Sequence, residues 1–514
     1  MPNLSKAGAL LNILRKELLL KSDSQFGVTT YSLRKKITDR RRFLDTVAKA
    51  SASIITGGAL LSSCSSFQKP DQYSTVAILG AGMAGLHAGL HFKEHNIDFS
   101  LFEAGQQAGG RIMTLYDVLG DGLVTELGGE YIDSNHADIL QLAEKFNLPL
   151  VDIESIIKGE SLIKDSYFFD GRYIDEGMVI AEFSRYAGAF LKDIRELDLA
   201  NSDSIREFDS ISISDYLRSK EVSGWLLILL EAAFTAEYGL EARLQSALNF
   251  LTMVDAVPGE TLRLYGTSDE RYKIEGGNHL LIKRMSEAIE DYIHYNHFCT
   301  RIQYQDKQFE VMFGSGQRHY AKYLLVAIPF TALRKIDLAL PLPKEKRNVI
   351  NELQYGTNSK IIFGVDGAIW KKMGRSGYLF SSKIQNGWDS SIAAQPRSKA
   401  SYTIFQGGDF GSNLSISNSD EYLAELEKTF QGFAGVHNQK KVVFNWRTSS
   451  LTEGSYAVYR VGDWSAFAGT EFSPVGNLHF AGEHCSTDFR GYMNGAAETG
   501  RLAAEAILSD IKKE

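Results

Sequence analysis

The chain has 514 residues, of which 44% are hydrophobic and 23% are charged, and its formal net charge is −8. The composition is that of a globular protein, and the length predicts two or three domains. The acidic balance argues against a nucleic-acid-binding protein that relies on basic charge. Three cysteines without a CxxC spacing predict neither a disulfide framework nor a metal site.

A basic segment precedes the first predicted strand. Residues 34–42 include paired arginines at Arg40 and Arg41, and residues 47–61 are mildly apolar and rich in small residues that lead to Cys64. This order resembles a twin-arginine export signal that ends in a lipoprotein cleavage site, so residues 1–64 predict an exported, periplasmic protein with Cys64 as candidate lipid anchor. The alternative is a basic amphipathic helix or membrane-surface tether.

A dinucleotide-binding fingerprint follows. Residues 74–79 form a β-branched run typical of a buried parallel strand, and the sequence Gly-Ala-Gly-Met-Ala-Gly comes directly after it at 80–85. A helical apolar pattern and a second predicted strand, residues 99–102, then lead to Glu103. The glycines would make the tight turn, admit a pyrophosphate and let the helix pack on the strand. Glu103 would accept hydrogen bonds from ribose hydroxyls, which favours FAD or NAD over NADP.

Two further glycine clusters lie downstream. Gly109, Gly110 and Arg111 are expected to hold the second phosphate of a long dinucleotide, and Gly128 and Gly129 are expected to let a planar ring lie against the backbone. The alternative is that these are ordinary turn glycines.

The C-terminal region is expected to return to the same site. A short predicted strand ends in Gly482 and Glu483, and an alanine-rich helix is predicted from residue 491 to residue 507. The positive end of that helix would stabilise the electron-rich edge of a flavin ring. The pattern therefore predicts a cofactor domain built from discontinuous segments.

Together, these motifs resemble the flavin-containing amine oxidase family, which includes monoamine, polyamine and L-amino-acid oxidases. The resemblance extends over about residues 73–510. It implies an α/β fold with a Rossmann-like FAD-binding domain of discontinuous segments and a substrate domain with a mixed sheet and helices. The FAD-binding domain would take residues 73–160, 268–330 and 465–510, and the substrate domain residues 161–267 and 331–464.

The resemblance also implies the residues that contact FAD. Ile293 lies where the family presents its backbone to adenine, and the other candidates lie in the motifs above and beside Trp446. The full set is Gly80, Ala81, Gly82, Met83, Ala84, Gly85, Glu103, Ala104, Gly110, Arg111, Gly128, Gly129, Glu130, Tyr131, Ile293, Trp446, Gly482, Glu483, Tyr492, Met493 and Ala496.

Three residues match the catalytic positions of the family. Tyr456 and Tyr492 match the two aromatic residues that face the flavin, and a desolvated aromatic cage favours the neutral form of an amine. Lys360 matches the lysine that holds a water against the reactive nitrogen of the flavin. The alternatives are two core aromatics with hydroxyls bonded elsewhere and a solvated lysine at a strand edge.

Two departures from the family refine this hypothesis. Ser455 stands where monoamine oxidases carry the cysteine that bonds to FAD, so we expect noncovalent FAD. Tyr131 stands where L-amino-acid oxidases carry an arginine for the substrate carboxylate, which favours a simple amine, although Arg490 offers a cation from another direction.

The sequence thus predicts an FAD-dependent oxidase that converts a primary amine to an imine by hydride transfer and passes the electrons to O2, which gives H2O2. One alternative is an L-amino-acid oxidase or a tryptophan 2-monooxygenase-like enzyme. The alternative from another class is a flavin-binding protein without turnover. No nucleic-acid partner is expected.

Overall fold

The computed structural model describes residues 72–198, 202–393 and 398–513. The predicted export signal, with Arg40, Arg41 and Cys64, lies outside the described residues.

The described strands, in chain order, are β1 (Gln72–Leu79), β2 (Phe99–Phe102), β3 (Thr114–Tyr116), β4 (Val124–Glu126), β5 (Leu150–Asp152), β6 (Ile163–Phe169), β7 (Arg172–Ile174), β8 (Asp255–Val257), β9 (Thr261–Arg263), β10 (Tyr272–Ile274), β11 (Ile293–His294), β12 (Cys299–Gln305), β13 (Gln308–Phe313), β14 (Arg318–Val326), β15 (Asp337–Ala339), β16 (Gln354–Tyr355), β17 (Ser359–Val365), β18 (Arg375–Ser381), β19 (Gln385–Asp389), β20 (Ala400–Gln406), β21 (His437–Asn445), β22 (Ala457–Val458) and β23 (Leu478–Phe480).

The described α-helices are α1 (Met83–Glu94), α2 (Ala137–Lys145), α3 (Ile153–Gly159), α4 (Glu176–Asp198), α5 (Ser202–Asp209), α6 (Ile213–Ser219), α7 (Gly224–Tyr238), α8 (Ala247–Met253), α9 (His279–Ala288), α10 (Phe330–Leu333), α11 (Lys344–Glu352), α12 (Ile369–Lys372), α13 (Gly408–Asn413), α14 (Ser419–Thr429), α15 (Phe433–Val436), α16 (Asp463–Phe467) and α17 (Met493–Lys513).

The first sheet is parallel at its centre. Its parallel strands lie in the order β11-β2-β1-β14-β23, in which β23 pairs with the C-terminal part of β14. The N-terminal part of β14 pairs with the antiparallel strand β13, and the sheet continues through β12 to β15. The order in the parallel part, third-second-first-fourth-fifth along the chain, is that of a Rossmann-like sheet. It contains segments from both the N-terminal and the C-terminal parts of the described residues, which confirms the predicted fold class.

The unit β1-α1-β2 forms as its local sequence predicts. β1 is a run of residues that are mostly buried, as is typical of a central parallel strand. The turn to α1 uses Gly80 at φ +103°, a conformation that L side chains rarely adopt. A Cβ atom at Gly85 would lie 1.9 Å from the carbonyl oxygen of Gly80, so only glycine lets α1 pack this closely on the turn.

The second sheet is mixed and has the order β21-β17-β20-β19-β18-β6-β7. All neighbouring pairs are antiparallel except β18 and β6, which are parallel. All seven residues of β17, its second strand, are buried. This is the mixed sheet that the resemblance implies for the substrate side of the fold.

The largest hydrophobic core joins helices α4–α8 to both sheets. It includes Phe183 and Phe190 from α4, Phe234 from α7, and Leu79 and Val326 at the ends of β1 and β14. Within the described ranges, no helix combines the length and the apolar character needed to cross a bilayer.

Candidate active site

A cavity of about 750 Å³ lies at the carboxyl ends of the parallel strands. Gly80 after β1, Glu103 after β2, Ala327 after β14 and Gly482 after β23 all line it. In an open parallel sheet, this edge is where ligands bind, because the loops and helix N-termini converge there. The cavity extends from this edge to β17 and α7, so it reaches both sheets.

One end of the cavity has the features of a dinucleotide cradle. Glu103 accepts hydrogen bonds through Oε2 from the Ala81 backbone N–H at 2.8 Å and through Oε1 from the Gly105 N–H at 2.7 Å. These bonds fix the carboxylate at the mouth of the turn, with lone pairs left for ribose hydroxyls. A Cβ atom at Gly82 would project into open space in the cavity, so the glycine leaves room for a phosphate against the backbone.

Arg111 and Glu483 connect distant parts of the chain across the cavity. Arg111 Nη1 lies 2.8 Å from Glu483 Oε1, and the guanidinium also donates to the carbonyl of Ser455. Glu483 Oε2 accepts a hydrogen bond from the Gly491 N–H at 3.1 Å, just before α17. The pair therefore links the segment of the second glycine cluster to the C-terminal segment that joins β23 and α17.

Lys360 on β17 reaches the cavity from within the fold. Its ammonium donates to the carbonyls of Glu126 at 3.0 Å and Gly128 at 2.9 Å, and to Glu130 Oε2 at 2.7 Å. Each of its three protons therefore has a protein acceptor. The lysine is 3% exposed, so the alternative of a solvated strand-edge lysine is wrong.

Glu130 is shared between two buried cations. Its Oε1 lies 2.9 Å from Lys273 Nζ, and its Oε2 binds Lys360. Burial alone would raise the pKa of Glu130, but Lys273 and Lys360 together hold it below its ordinary value. The three groups form an ion triad with a net charge of +1, and Glu130 and Lys360 face the cavity.

Tyr456 and Tyr492 lie in the same cavity, and α7 anchors both. The Tyr456 hydroxyl donates to the backbone carbonyl of Glu237, and the Tyr492 hydroxyl donates to Glu237 Oε1 at 3.1 Å. Glu237 lies in the last turn of α7, which ends at Tyr238 and is capped by Gly239 at φ +69°. Burial raises the pKa values of both phenols well above the usual range for tyrosine, so both hydroxyls stay protonated at neutral pH.

Carboxyl groups surround this end of the cavity. Asp133, Glu237 and Glu270 all line it, and Asp133 Oδ1 accepts a hydrogen bond from the Glu270 N–H at 2.8 Å. Burial raises the pKa of Glu237 to about 7, and burial together with the charge of Asp133 raises that of Glu270 to about 8.

Most of the predicted site residues line the cavity. These are Gly80, Gly82, Met83, Ala84, Glu103, Ala104, Gly110, Arg111, Gly128, Gly129, Glu130, Tyr131, Lys360, Trp446, Tyr456, Gly482, Glu483, Tyr492, Met493 and Ala496. Ala81, Gly85 and Ile293 do not line it. Ala81 instead donates its N–H to Glu103, and Gly85 lets α1 pack on the turn. Ile293 pairs with Leu101 in the sheet, and His297, Phe298 and Cys299 line that end instead.

Several lining residues carry no signal in the sequence. Glu237 lies in a mostly apolar helix, and Glu270 precedes the short strand β10. Trp388 and Phe405 come from β19 and β20, and their rings lie 5.3 and 5.9 Å from Lys360 Nζ. Asp133 had a partial signal, since it follows the Glu126-Leu-Gly-Gly motif closely.

Comparison with known proteins identifies the family. Residues 83–508 match the family model described as flavin containing amine oxidoreductase. The chain belongs to this family. It is 24% identical over 472 residues to the flavin-containing amine oxidase A of Equus caballus, with 85% of each chain covered. It is 22% identical to the L-amino-acid oxidase of Pseudechis australis, with 86% of this chain and 88% of the relative covered.

A solved structure of putrescine oxidase bound to putrescine has the same fold, with a TM-score of 0.72 and 19% identity. The match covers 86% of this chain and all of that one.

The flavin-containing amine oxidoreductase family implies a flavin cofactor, and the residues present fit FAD. The open space beside Gly82 and the fixed carboxylate of Glu103 suit the pyrophosphate and ribose of the adenine half. The N-terminus of α17 contributes Met493 and Ala496 to the opposite part of the cavity, where its dipole favours a negative charge. The ion triad brings further positive charge to that part.

Proposed function

We propose that this chain is an FAD-dependent amine oxidase that converts a primary amine to an imine, with hydrolysis to an aldehyde and ammonia, and reduces O2 to H2O2. The observation that carries the proposal is the convergence of the dinucleotide turn, Lys360, Tyr456 and Tyr492 on one cavity. Bound FAD would accept the hydride and return the electrons to O2.

The two tyrosines influence the protonation state of the substrate amine. Their hydroxyls are held by Glu237, so they neither donate to the substrate nor rotate away from the cavity. Their buried surroundings disfavour an ammonium ion and so favour the neutral amine, whose lone pair assists loss of hydride from the adjacent carbon.

Lys360 contributes a fixed positive charge. Because its three protons are bound by protein acceptors, its role rests on the position of the charge rather than on proton donation. Such a preorganised charge in a water-excluded site stabilises negative charge that develops during electron transfer.

The charges of the cavity favour an amine over an amino acid. Arg111 is paired with Glu483 at 2.8 Å, and Arg490 is paired with Glu471 at 3.3 Å, with its guanidinium 3.7 Å from the centre of the Tyr459 ring. A substrate carboxylate would meet Glu237, Glu270 and Asp133 instead of a free bidentate cation. Tyr131, at the position of the arginine in L-amino-acid oxidases, packs edge-on to Trp388.

One observation favours the amino-acid alternative. Arg490 lines the cavity, and its Nε is buried without a hydrogen-bond partner in the described part of the chain. A substrate carboxylate that reached Nε would satisfy this donor. An L-amino-acid oxidase is therefore the second candidate.

A substrate panel tests the proposal. The purified holoenzyme is mixed with aromatic amines, alkylamines, diamines and L-amino acids, and H2O2, aldehyde and keto acid are measured. Aldehyde and H2O2 from amines support the proposal; keto acid from amino acids, with amines inert, overturns it. Anaerobic bleaching of the flavin by the same compounds excludes the alternative without turnover, since a binding protein would stay yellow.

We further propose that FAD is held without a covalent bond. Ser455 offers no thiol at the attachment position, and its Oγ donates to Asn358 Oδ1 at 2.6 Å. Acid precipitation of the holoprotein should therefore release FAD into the supernatant. A pellet that stays yellow after washing would contradict this assignment.

We also propose export by the twin-arginine route, on the sequence order of residues 34–64. Replacement of both Arg40 and Arg41 by lysine should leave the precursor in the cytoplasm, as measured by cell fractionation and immunoblot. Unchanged export of the double variant would contradict the proposal. A companion Cys64→Ser variant tests the lipid anchor by its release from the membrane fraction.

A further inference from the structure

Lys273 on β10 is a second buried lysine beside the cavity. It is 4% exposed and does not line the cavity, yet its ammonium lies 2.9 Å from Glu130 Oε1 and donates to the carbonyl of Ser390 at 3.1 Å. The centre of the Tyr131 ring lies 5.6 Å from the same ammonium. A buried ammonium is costly to desolvate, so its presence calls for a reason beyond packing. Direct contact with a ligand in the cavity does not supply that reason.

Glu130 divides its two carboxylate oxygens between two lysines. Oε1 lies 2.9 Å from Lys273 Nζ, and Oε2 lies 2.7 Å from Lys360 Nζ. In a simple ion pair, the carboxylate would offset the charge of Lys360 at the cavity wall. Because Lys273 gives the same carboxylate a second ammonium, the three groups together keep one positive charge. Lys273 thus offsets the counter-ion of the lysine that faces the cavity.

Glu126 is a fourth buried group that belongs in this charge count. Its carboxyl group accepts hydrogen bonds from the Thr114 hydroxyl at 2.7 Å and from the Asn278 N–H at 2.8 Å. Burial raises the pKa of Glu126 to about 7, and the charge of Lys273 is the main factor that opposes this rise. At a pH well below 7, Glu126 is therefore mostly protonated, and the four groups carry a net charge close to +1.

We propose that Lys273 is a positioning residue for the flavin, which acts through Glu130: it leaves the charge of Lys360 effective at the cavity wall and thereby raises the reduction potential of bound FAD. A reduced flavin carries more negative charge than an oxidised one, so a net positive charge beside it favours the reduced form. The inference goes beyond the proposed function, because it requires bound FAD but no particular substrate.

The test compares the reduction potential of bound FAD in four forms of the holoprotein: the wild type, Lys273→Met, Glu130→Gln and the double variant. Each is equilibrated anaerobically with a reference dye at pH 6, where Glu126 is mostly protonated. Lys273→Met should shift the equilibrium about tenfold toward oxidised flavin, which is about 30 mV for a two-electron couple. This is the effect of one unit charge at roughly 10 Å in a medium with an effective dielectric constant of about 20.

The other two variants test the charge count itself. Glu130→Gln removes the negative charge and should shift the equilibrium by a similar factor toward reduced flavin. The double variant keeps only the charge of Lys360, so its equilibrium should lie within about threefold of the wild type. A merely structural role for Lys273 would lower stability or FAD retention, but it would not give opposite shifts that cancel in the double variant.

Lys283→Met is the matched control, because it removes the same charge from the surface of α9, where Glu287 lies 3.9 Å away. It should leave the potential unchanged. Equal potentials in the wild type and Lys273→Met, or shifts of the same sign in the two single variants, would overturn the inference.

The remaining outcomes also decide the proposal. If Lys273→Met does not retain FAD, Glu130→Gln is compared with the wild type: a shift toward reduced flavin supports the inference, and no shift overturns it. These potentials are measured without substrate, so their failure leaves the proposed function standing. Conversely, a wild-type flavin that no amine bleaches would contradict the proposed function and leave the role of Lys273 intact.

Discussion

Lys360 is the residue whose charge should govern the oxygen-dependent half of the reaction. It is buried, and its partners hold it at the cavity wall. Lys360→Met keeps most of the volume and removes the charge, so we expect slower reoxidation by O2, on the order of tenfold or more, since preorganised charges are commonly worth that much. Anaerobic reduction by substrate should change far less. Stopped-flow absorbance measures both steps, and equal slowing of the two would remove the proposed role.

Glu130 should matter for stability as well, because it is the carboxylate shared by Lys360 and Lys273. Glu130→Gln leaves two buried ammonium groups without their counter-ion, and breaking such a pair typically costs about 3–5 kcal/mol of unfolding free energy. Glu287→Gln is the matched control, because Glu287 pairs with Lys283 and Arg284 at the surface. Exposed pairs contribute at most about 1 kcal/mol. Urea unfolding of both variants checks the prediction, and similar losses would contradict it.

These residues also show where the sequence was informative about the site. Lys360, Tyr456 and Tyr492 each lie in a motif with its own spacing, so their roles could be predicted separately. The sequence did not show that Glu130 binds Lys360, because the two are 230 positions apart. Glu237 had no signal, since its role depends on where a helix ends rather than on its neighbours in sequence. Ile293 was predicted from a loose alignment and lies outside the cavity lining.

At the scale of the elements, the contact between α1 and α17 depends on glycine. A Cβ atom at Gly500 in α17 would lie 2.2 Å from the carbonyl oxygen of Ala84 in α1. Gly500→Ala should therefore separate the two helices and lower stability by about 1–3 kcal/mol, the usual cost of overpacking. It should also weaken FAD retention, because both helices present their N-termini to the cavity.

Gly188→Ala is the control for this helix pair. Gly188 is exposed in α4, and a Cβ atom there would meet nothing within 4 Å. Alanine in a helix interior is typically about 0.5–1 kcal/mol more stable than glycine. The two substitutions should thus shift the temperature of thermal unfolding in opposite directions. A loss of stability in both variants would contradict the prediction that alanine at position 188 stabilises α4.

Elements formed from adjacent sequence were the easier ones to predict. β1, α1 and β2 follow one another and are specified by local apolar periodicity and glycines, so their prediction needed no distant partner. The pairing of β6 with β18 in the second sheet joins segments more than 200 positions apart. Such pairing is decided by packing of whole faces, which a local pattern does not encode.

At the scale of the whole molecule, buried histidines should make the free energy of unfolding depend on pH. Burial lowers the pKa of His87, His319 and His479 to about 4. They lie on α1, β14 and β23, and His87 Nδ1–H donates to the Ala497 carbonyl of α17 at 2.8 Å. Their ordinary pKa is 6.5, so between pH 6.5 and 4 the unfolded chain binds protons that the folded protein does not. Their contribution is therefore complete above pH 6.5 and is lost progressively as the pH falls toward 4.

We expect the free energy of unfolding to fall by up to about 1.4 kcal/mol per pH unit for each imidazole in this window. His87→Gln removes one of the three and should reduce the slope by about that amount, although the variant is less stable at pH 7. Urea unfolding of the holoprotein at several pH values and constant FAD concentration measures the slopes. Because the three imidazoles lie on different elements, an unchanged slope in His87→Gln would show that acid acts through other groups of the molecule.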